Sequence, residues 1–358
     1  MAFNGQLNSN EIFSALYNMI ISVQAFGDNV AGTYETLADK FRVDGGQYGD
    51  TKLYVATDAL KSAPWGNDAE STNLLATHRP PEPKTQAVEL DTFRQISLTV
   101  DNYLSKRSWG TEGAFAQFNN VLMGWIGDTK RIYDSTMVNT YVGTAETQVG
   151  EQAQTIFVEA GSTEEETNKL MALSCAKKLA DILVEVADVS RDFNDYGFIR
   201  SYKPEDLIVI WNSDVYNAIT KLGEPVIFHK DGLFDKVEQV VLPARYFGNV
   251  VVAGGTAAAS NTTTRALVEK DFGSKHCFPG ELIPNGAAYG AGEVYNEDGS
   301  IAFKILHKNS VPFMSNFEVG TSFFNAKSLT ENHYLTFGHN TLEYLKNYPM
   351  ITVRCEEA

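Results

Sequence analysis

A long stretch of helical periodicity constrains the fold of this chain more than any other feature. Its apolar residues recur at steps of three and four over 111–142: Phe115, Phe118, Leu122, Trp125, Ile126, Ile132, Tyr133, Met137 and Tyr141. Thr111 and Glu112 suit the start of a helix, and Gly143 suits its end. At about 1.5 Å per residue this helix would be about 45 Å long, more than most globular helices. The pattern predicts one dominant helix whose apolar face other elements must cover.

The segment before this helix predicts a projecting pair of strands. A strand at about 52–57 is followed by residues 61–86, which contain four prolines and little periodicity, and then by a strand over 86–100. In the second strand, QISLTV at 95–100 alternates apolar and polar residues, which is typical of a strand with one apolar face. Long irregular connections in compact proteins are usually functional or disordered. Two strands on such a connection have exposed edges, and we expect a partner to cover them.

Residues 148–300 predict one mixed α/β domain. Thr163 and Glu166 have the spacing of a capping box at the start of a helix. The segment DLIVIWNSDVYNAITKLG predicts a buried strand over 206–211 and then a short helix that ends at Gly223. Further strands are expected in EQVVLPARYFGNVVVAGGTA and in ALVEK.

The C-terminal part of the chain changes to an antiparallel pattern. Alternating strands are predicted in IAFKILHK, NHYLTFGHNTLEYL and PMITVRC, with turn residues between them. No helical pattern accompanies these strands, so the long helix is the element against which we expect them to bury. This predicts a split domain made of residues 99–147 and 301–358.

The charge of the chain argues against nucleic-acid recognition. Among 358 residues, 29 are basic and 45 are acidic, so the formal net charge is −16 and a polyphosphate would repel the chain. The apolar run at 12–26 has no Lys or Arg before it, which favours an amphipathic helix over a signal peptide. The three cysteines have no CxxC spacing, and we interpret them as free thiols in a reducing compartment: Cys175, Cys277 and Cys355.

Two kinds of motif invite a chemical interpretation, and neither supports one. AGGTAAASNTTTRA at 253–266 lacks the lysine of a phosphate-binding loop, so a glycine-rich turn between strands is expected. Two histidine-containing pairs lack the spacing that places two ligands on one metal ion: His276–Cys277 and His333/His339.

Charged clusters are expected to be solvated or ion-paired. They are the acidic pairs Asp192/Asp195 and Glu164–Glu166 and the basic run KRSW at 106–109. We therefore assign no catalytic, cofactor-binding or metal-binding residue, and we expect no cofactor.

The order of the segments resembles that of the major capsid proteins of tailed bacteriophages, which have the Hong Kong 97-type shell fold. Three segments carry the resemblance: VELDTFRQISLTVDNYLSKRSW leading into the long helix, DLIVIWNSDVYNAI in the middle, and HYLTFGHNTLEYLKNYPMITV at the end. The resemblance implies an α+β fold with four parts. These are an N-terminal arm (1–41), an E-loop (42–98), a discontinuous P-domain with a spine helix and antiparallel sheet (99–147 and 301–358), and an inserted α/β A-domain (148–300).

The same resemblance implies a structural role. The chain would assemble into hexamers and pentamers of an icosahedral phage head that encloses double-stranded DNA without sequence-specific binding. Scaffolding, portal and decoration proteins would be its partners, with no membrane, and assembly would occur in the host cytoplasm. The QISLTV strand would return from the E-loop, with a neighbouring subunit covering its edges.

Two other functions remain open at this point. One is the shell of an encapsulin-like bacterial nanocompartment, which keeps the fold and encloses enzymes instead of a genome. The other is an enzyme with an unrecognised site in the α/β domain.

Overall fold

The computed structural model describes residues 36–45, 47, 49–62, 77, 79–101, 112–218 and 237–357. Its residues form two compact units. The first unit contains the described residues up to Asp50, with Leu90–Thr136 and Phe313–Thr341. The second unit contains Thr51–Glu89, Met137–Pro312 and the described residues from Leu342 onward. The longest helix contributes residues to both units.

The helices are α1 (Thr36–Phe41), α2 (Glu112–Thr144) and α3 (Glu164–Ala187), and residues 213–218 are also helical. The strands are β1 (Thr51–Ala56), β2 (Lys84–Glu89), β3 (Thr92–Asp101), β4 (Ala153–Val158), β5 (Leu207–Asn212), β6 (Glu238–Leu242), β7 (Gly248–Val250), β8 (Gly255–Thr256), β9 (Thr264–Ala266), β10 (Lys270–Phe272), β11 (Lys275–Cys277), β12 (Ala288–Tyr289), β13 (Val294–Glu297), β14 (Ile301–His307), β15 (Phe317–Asn325), β16 (Thr330–His339) and β17 (Met350–Glu357).

The long helix predicted over 111–142 is confirmed as α2, whose 33 residues are about 50 Å long. Its C-terminal turns are deeply buried, with Val138 and Val142 fully inaccessible to solvent. The role expected for Gly143 is wrong, because the helix continues through it to Thr144. A Cβ at this position would overlap the backbone carbonyl of Tyr246. Gly143 is therefore required for close packing and does not end the helix.

The predicted start of α3 is confirmed. Thr163 is the N-cap, and its hydroxyl accepts a hydrogen bond of 3.3 Å from the Glu166 N–H. The Glu166 carboxylate accepts in turn from the N–H of Ser162, at 2.9 Å, one residue before the cap. Two N–H groups that the helix itself cannot satisfy are thus paired, which fixes where the chain enters α3.

In the first unit, a three-stranded antiparallel sheet of order β15–β16–β3 packs against α2. The ring of Tyr133 on α2 lies 5.5 Å from that of Phe337 on β16, in an edge-to-face arrangement. Helix α1 buries Leu37 and Phe41, and the Phe41 carbonyl accepts a hydrogen bond of 2.9 Å from the Phe313 N–H. These contacts form the core of the first unit.

In the second unit, a five-stranded sheet of order β4–β17–β14–β5–β6 forms the core with α3. The pairs β17–β4 and β5–β6 are parallel, and the other two are antiparallel. Every residue of β5 is buried, as the apolar run predicted for 206–211 requires. Leu179 and Ile182 of α3 belong to the same cluster as Trp211 and Phe303 of the sheet. Smaller two- and three-stranded sheets complete this unit.

The prediction of one strand over 86–100 is wrong, because the structure has two strands with different partners. Strand β2 pairs with β1, from Lys84 opposite Ala56 to Glu89 opposite Thr51. Strand β3 pairs with β16 along its whole length. One edge of QISLTV is therefore covered by its own chain and not by a neighbour. Alternation identifies the apolar face of a strand but does not identify the strand beside it.

The C-terminal strands are divided between the two units and do not form one sheet. Strands β14 and β17 join the five-stranded sheet, whereas β15 and β16 join β3. Strand β15 was not predicted, because its side chains are exposed along almost the whole strand and show no alternation of apolar and polar residues. The chain is a mixed helix-and-strand protein, and the domain boundaries given above remain a prediction.

Several expectations concern residues that the structure does not describe. They are the amphipathic helix at 12–26, most of the proline-bearing connection, the KRSW run at 106–109 and the helix end at Gly223.

Substitutions at two glycines of α2 test whether close packing is the reason that position 143 requires a glycine. Gly143→Ala should destabilise the protein by about 1–3 kcal/mol, because the new Cβ forces the helix and the Tyr246 backbone apart. Gly124→Ala, in the same helix, meets no atom within 4 Å and should leave stability unchanged or raise it by up to about 1 kcal/mol. Urea unfolding monitored by circular dichroism gives both values. Equal midpoints for the two variants would contradict this role of Gly143.

Candidate functional site

His276 is held in an exposed ion-paired cluster. It lies on β11 directly opposite Asp271 on β10, and its Nδ1 is 2.7 Å from the Asp271 carboxylate. Its Nε2 is 2.8 Å from the carboxylate of Glu269. Hydrogen bonds to both carboxylates raise the pKa of His276. Cys277 is buried on the other face of the strand, so the two residues do not converge on one ion.

His339 is a buried structural residue. Its Nδ1 is 2.9 Å from the Asn340 carbonyl oxygen, so Nδ1 carries the proton and donates. Its Nε2 then accepts from the hydroxyl of Tyr133, at 2.7 Å. Burial lowers the pKa of His339, which favours this neutral form. His333 is on the same strand with its Nε2 3.8 Å from Glu331. In the described part of the chain, no three His, Cys, Asp or Glu side chains are placed to hold a metal ion.

The glycine-rich segment 253–266 contains short strands β8 and β9 joined by a turn, as predicted. Asn261 organises this turn through its buried side-chain amide. The amide donates to the carbonyls of Thr264 and Ile283, at 2.9 and 3.0 Å, and its oxygen accepts from the Thr264 N–H. Two of these bonds stay within the turn, and the bond to Ile283 ties the turn to a later segment of the chain.

A buried carboxylate links three elements of the first unit. Asp134 on α2 is 3.5 Å from Lys130, one helical turn earlier, and 3.8 Å from Arg42 after α1. Lys130 is in addition 3.4 Å from Glu318 at the start of β15. Burial raises the pKa of Asp134 to about 6, against the attraction of the two cations. Lys130 and Asp134 are four residues apart, and this spacing on a long helix is the signal that could have identified the pair.

A second buried charge lies at the C-terminal end of α2 in the second unit. Lys304 on β14 is only 1% exposed, and its Nζ donates to the Ala145 carbonyl at 2.6 Å. The neighbouring residue of Ala145, Glu146, accepts a hydrogen bond of 2.7 Å through its carboxylate from the guanidinium of Arg354 on β17. Burial lowers the pKa of Lys304 to about 7. A lysine within the apolar pattern IAFKILH is the sequence signal that could have identified this site.

The antiparallel pair β1–β2, called here the ribbon, has an exposed apolar face. Leu53 is 64% exposed and Val55 is 59% exposed, while Tyr54 between them is half-buried. The middle of the ribbon is attached within the second unit: the side-chain amide of Gln86, which lies opposite Tyr54, donates to the Tyr344 carbonyl at 3.0 Å and accepts from the Lys346 N–H at 3.1 Å. An isolated two-stranded ribbon is only marginally stable in water. An apolar face on an anchored ribbon indicates a contact surface.

A second exposed apolar surface lies on the outer strand of the first unit. Val319, Phe323 and Phe324 of β15 are 44%, 63% and 51% exposed. Strand β15 is the last strand of its sheet within the described residues. Large apolar side chains on an outer strand are typical of protein–protein contact sites.

No helix in the described ranges combines the length and the apolar character that crossing a bilayer requires.

The fold is similar to those of phage capsid proteins. A chain in the capsid structure of Staphylococcus phage Andhra matches with a TM-score of 0.57 and 11% identity, covering 89% of this chain and 83% of that one. A chain in the structure of the head fiber and inner core protein gp22 of native bacteriophage P68 matches with a TM-score of 0.55 and 12% identity, covering 87% and 82%. A chain in the capsid structure of the Cyanophage P-SCSP1u matches with a TM-score of 0.50 and 11% identity, covering 95% of this chain and 94% of that one. At identities this low, these matches show a shared fold alone.

A family model that matches nearly the whole chain places it in the class of the shell proteins of tailed-phage heads, which are structural components of the virion. Within this class, the chain belongs to the family of the Phi29-like phage major capsid protein, whose model matches residues 3–352. No curated protein has detectable similarity to the chain. Family membership favours the phage head over the nanocompartment and the enzyme that the sequence left open.

The raised pKa of Asp134 predicts a pH-dependent effect of Asp134→Asn. The folded pKa of about 6 lies above the unfolded value near 4, so the carboxyl favours folding below about pH 4, and this contribution is lost as pH rises through 6. Asn cannot ionise. The variant should therefore be more stable than wild type by on the order of 1–3 kcal/mol at pH 7.5, with a much smaller gain at pH 4.

Thermal unfolding at the two pH values measures this difference. Asp128→Asn is the matched control, because it removes a carboxylate from the same helix that is 3.8 Å from Arg131 and more exposed. An equal effect of Asp134→Asn at both pH values would contradict the buried-carboxylate explanation.

Proposed function

We propose that this shell protein follows the Hong Kong 97-type plan, with an N-terminal arm at 1–41, an E-loop at 42–98, a P-domain of 99–147 and 301–358, and an A-domain at 148–300. The element order supports the proposal. The ribbon lies within the proposed E-loop, α2 would be the spine helix, and the parallel pair β5–β6 would belong to the inserted A-domain.

The ribbon is the proposed contact with a neighbouring subunit. The observation that carries this is the alternation along β1, where Leu53 and Val55 are exposed and Tyr54 is half-buried. Two large apolar side chains side by side on the solvent-facing side of a strand are typical of a surface that another protein covers. Covering Leu53 and Val55 with a second copy of the chain would contribute about 1.5–3 kcal/mol for each side chain before ordering costs.

The net charge of −16 suits an inner wall that faces DNA without binding it. In this proposal the chain forms hexamers and pentamers of an icosahedral head around double-stranded DNA, in the cytoplasm of the host. Scaffolding, portal and decoration proteins are its proposed partners, and it has no catalytic step and no cofactor.

A double substitution on the ribbon tests the subunit contact. Leu53→Ser with Val55→Ser should raise the protein concentration needed for closed particles by about 100-fold or more, because the apolar contribution to the contact is lost. The melting temperature of the unassembled subunit should change little, because both side chains are already exposed in it. Light scattering and negative-stain microscopy over a concentration series measure assembly, and circular dichroism measures melting.

Val252→Ser is the matched control, since Val252 is an 84% exposed apolar residue of the second unit that lies outside the ribbon. It should assemble as wild type does. Normal particles from the double variant at wild-type concentrations would exclude the ribbon as the contact.

A further inference from the structure

Two of the three cysteines, far apart in sequence, meet in the core of the second unit. Cys175 is on α3 and Cys355 is on β17, and their Sγ atoms are 3.3 Å apart although 180 positions separate them in the chain. Both are free thiols. We propose that Cys175 and Cys355 are a redox modification site, at which a reversible disulfide within the chain joins α3 to β17.

The surroundings hold both sulfur atoms in place for this reaction. Cys175 belongs to the buried cluster between α3 and the sheet, and Cys355 packs against the same cluster. Cys355 is paired with Ile156 of the parallel strand β4, and its N–H donates to the Ser300 carbonyl at 2.7 Å. A disulfide bond is about 2.0 Å long, so the sulfurs need to approach by about 1.3 Å. Rotation of the two side chains can close a gap of this size, so α3 does not need to move away from the sheet.

The two thiols differ in solvent exposure and in pKa, and these differences determine which thiol reacts with the oxidant first. Cys175 is fully buried, whereas Cys355 is partly exposed. The hydrogen bond from the Cys175 thiol lowers the pKa of Cys355, while the same contact and burial raise the pKa of Cys175. Cys355 is therefore the thiol that ionises and meets an oxidant from solvent, because the thiolate is the attacking species.

The oxidant is a small disulfide of the glutathione type. The Cys355 thiolate attacks one of its sulfurs, which forms a mixed disulfide and releases one small-molecule thiolate. Cys175 then attacks Sγ of Cys355 as its proton passes to the departing sulfur, and the second small thiol leaves. Two protein thiols are oxidised to one disulfide, and one small disulfide is reduced to two thiols.

The expected consequence is a more stable second unit with an unchanged fold. The bond would close a loop of 180 residues, and loops of this length restrict the unfolded chain strongly. Strand β17 lies between β4 and β14, so the link ties α3 to the interior of the sheet and not to its edge. In a reducing compartment both cysteines remain free thiols, and in an oxidising compartment they form the disulfide. This property does not depend on the shell function.

Thiol counting on the purified full-length chain tests the proposal. The reduced protein is treated with oxidised glutathione, denatured with an alkylating reagent and digested for mass spectrometry. The number of alkylated cysteines should fall from three to one, leaving Cys277, and one linked peptide pair should contain Cys175 and Cys355. Dithiothreitol should restore all three. Three alkylated cysteines after oxidation, a stable glutathione adduct on Cys355, or disulfides only between chains would each overturn the proposal.

Variants extend this test to stability. Cys277→Ser is the matched control, because Cys277 belongs to a different core cluster and its loss should leave the linked peptide pair intact. Oxidation should raise the melting temperature of wild type and of Cys277→Ser by several degrees, and that of Cys355→Ser not at all. Cys175→Ala serves the same purpose should Cys355→Ser fail to fold. An equal rise with either member of the pair removed would contradict the link.

Discussion

The second unit depends on a lysine inside its central sheet. Lys304 lies on β14, between β17 and β5, where a lone ammonium group would cost several kcal/mol. Its Nζ donates to the Ala145 carbonyl just beyond α2. The last carbonyls of a helix have no intrahelical donor and carry partial negative charge. One bond therefore satisfies a buried donor and a helix end together, and it fixes where the end of α2 meets the sheet.

The same helix carries the buried carboxylate of the first unit. Asp134 contacts Lys130 and Arg42, and Lys130 continues to Glu318 of β15. In each unit, a charge in the core fixes the register of α2 relative to elements that are distant in sequence. Apolar packing alone would tolerate small slides of a helix, whereas a buried charge must keep its partner.

The two units bury charged side chains in their cores but expose large apolar side chains on their surfaces, on the ribbon and on β15. A monomeric protein gains nothing from such residues, and a shell subunit can bury them against copies of itself. The chain belongs to a family of shell proteins, which agrees with the proposed use of such surfaces as subunit contacts.

The sequence by itself determined the elements whose signals are local. The periodicity of α2, the capping pair Thr163 and Glu166, and the buried strand β5 were all predictable, because each depends on residues a few positions apart. Only the tertiary structure decided the partners. It paired QISLTV with β16, separated β14 from β16, buried Lys304, and brought Cys175 to Cys355. Local patterns specify which face of an element is apolar, but its neighbour is chosen by the free energy of the whole packed core.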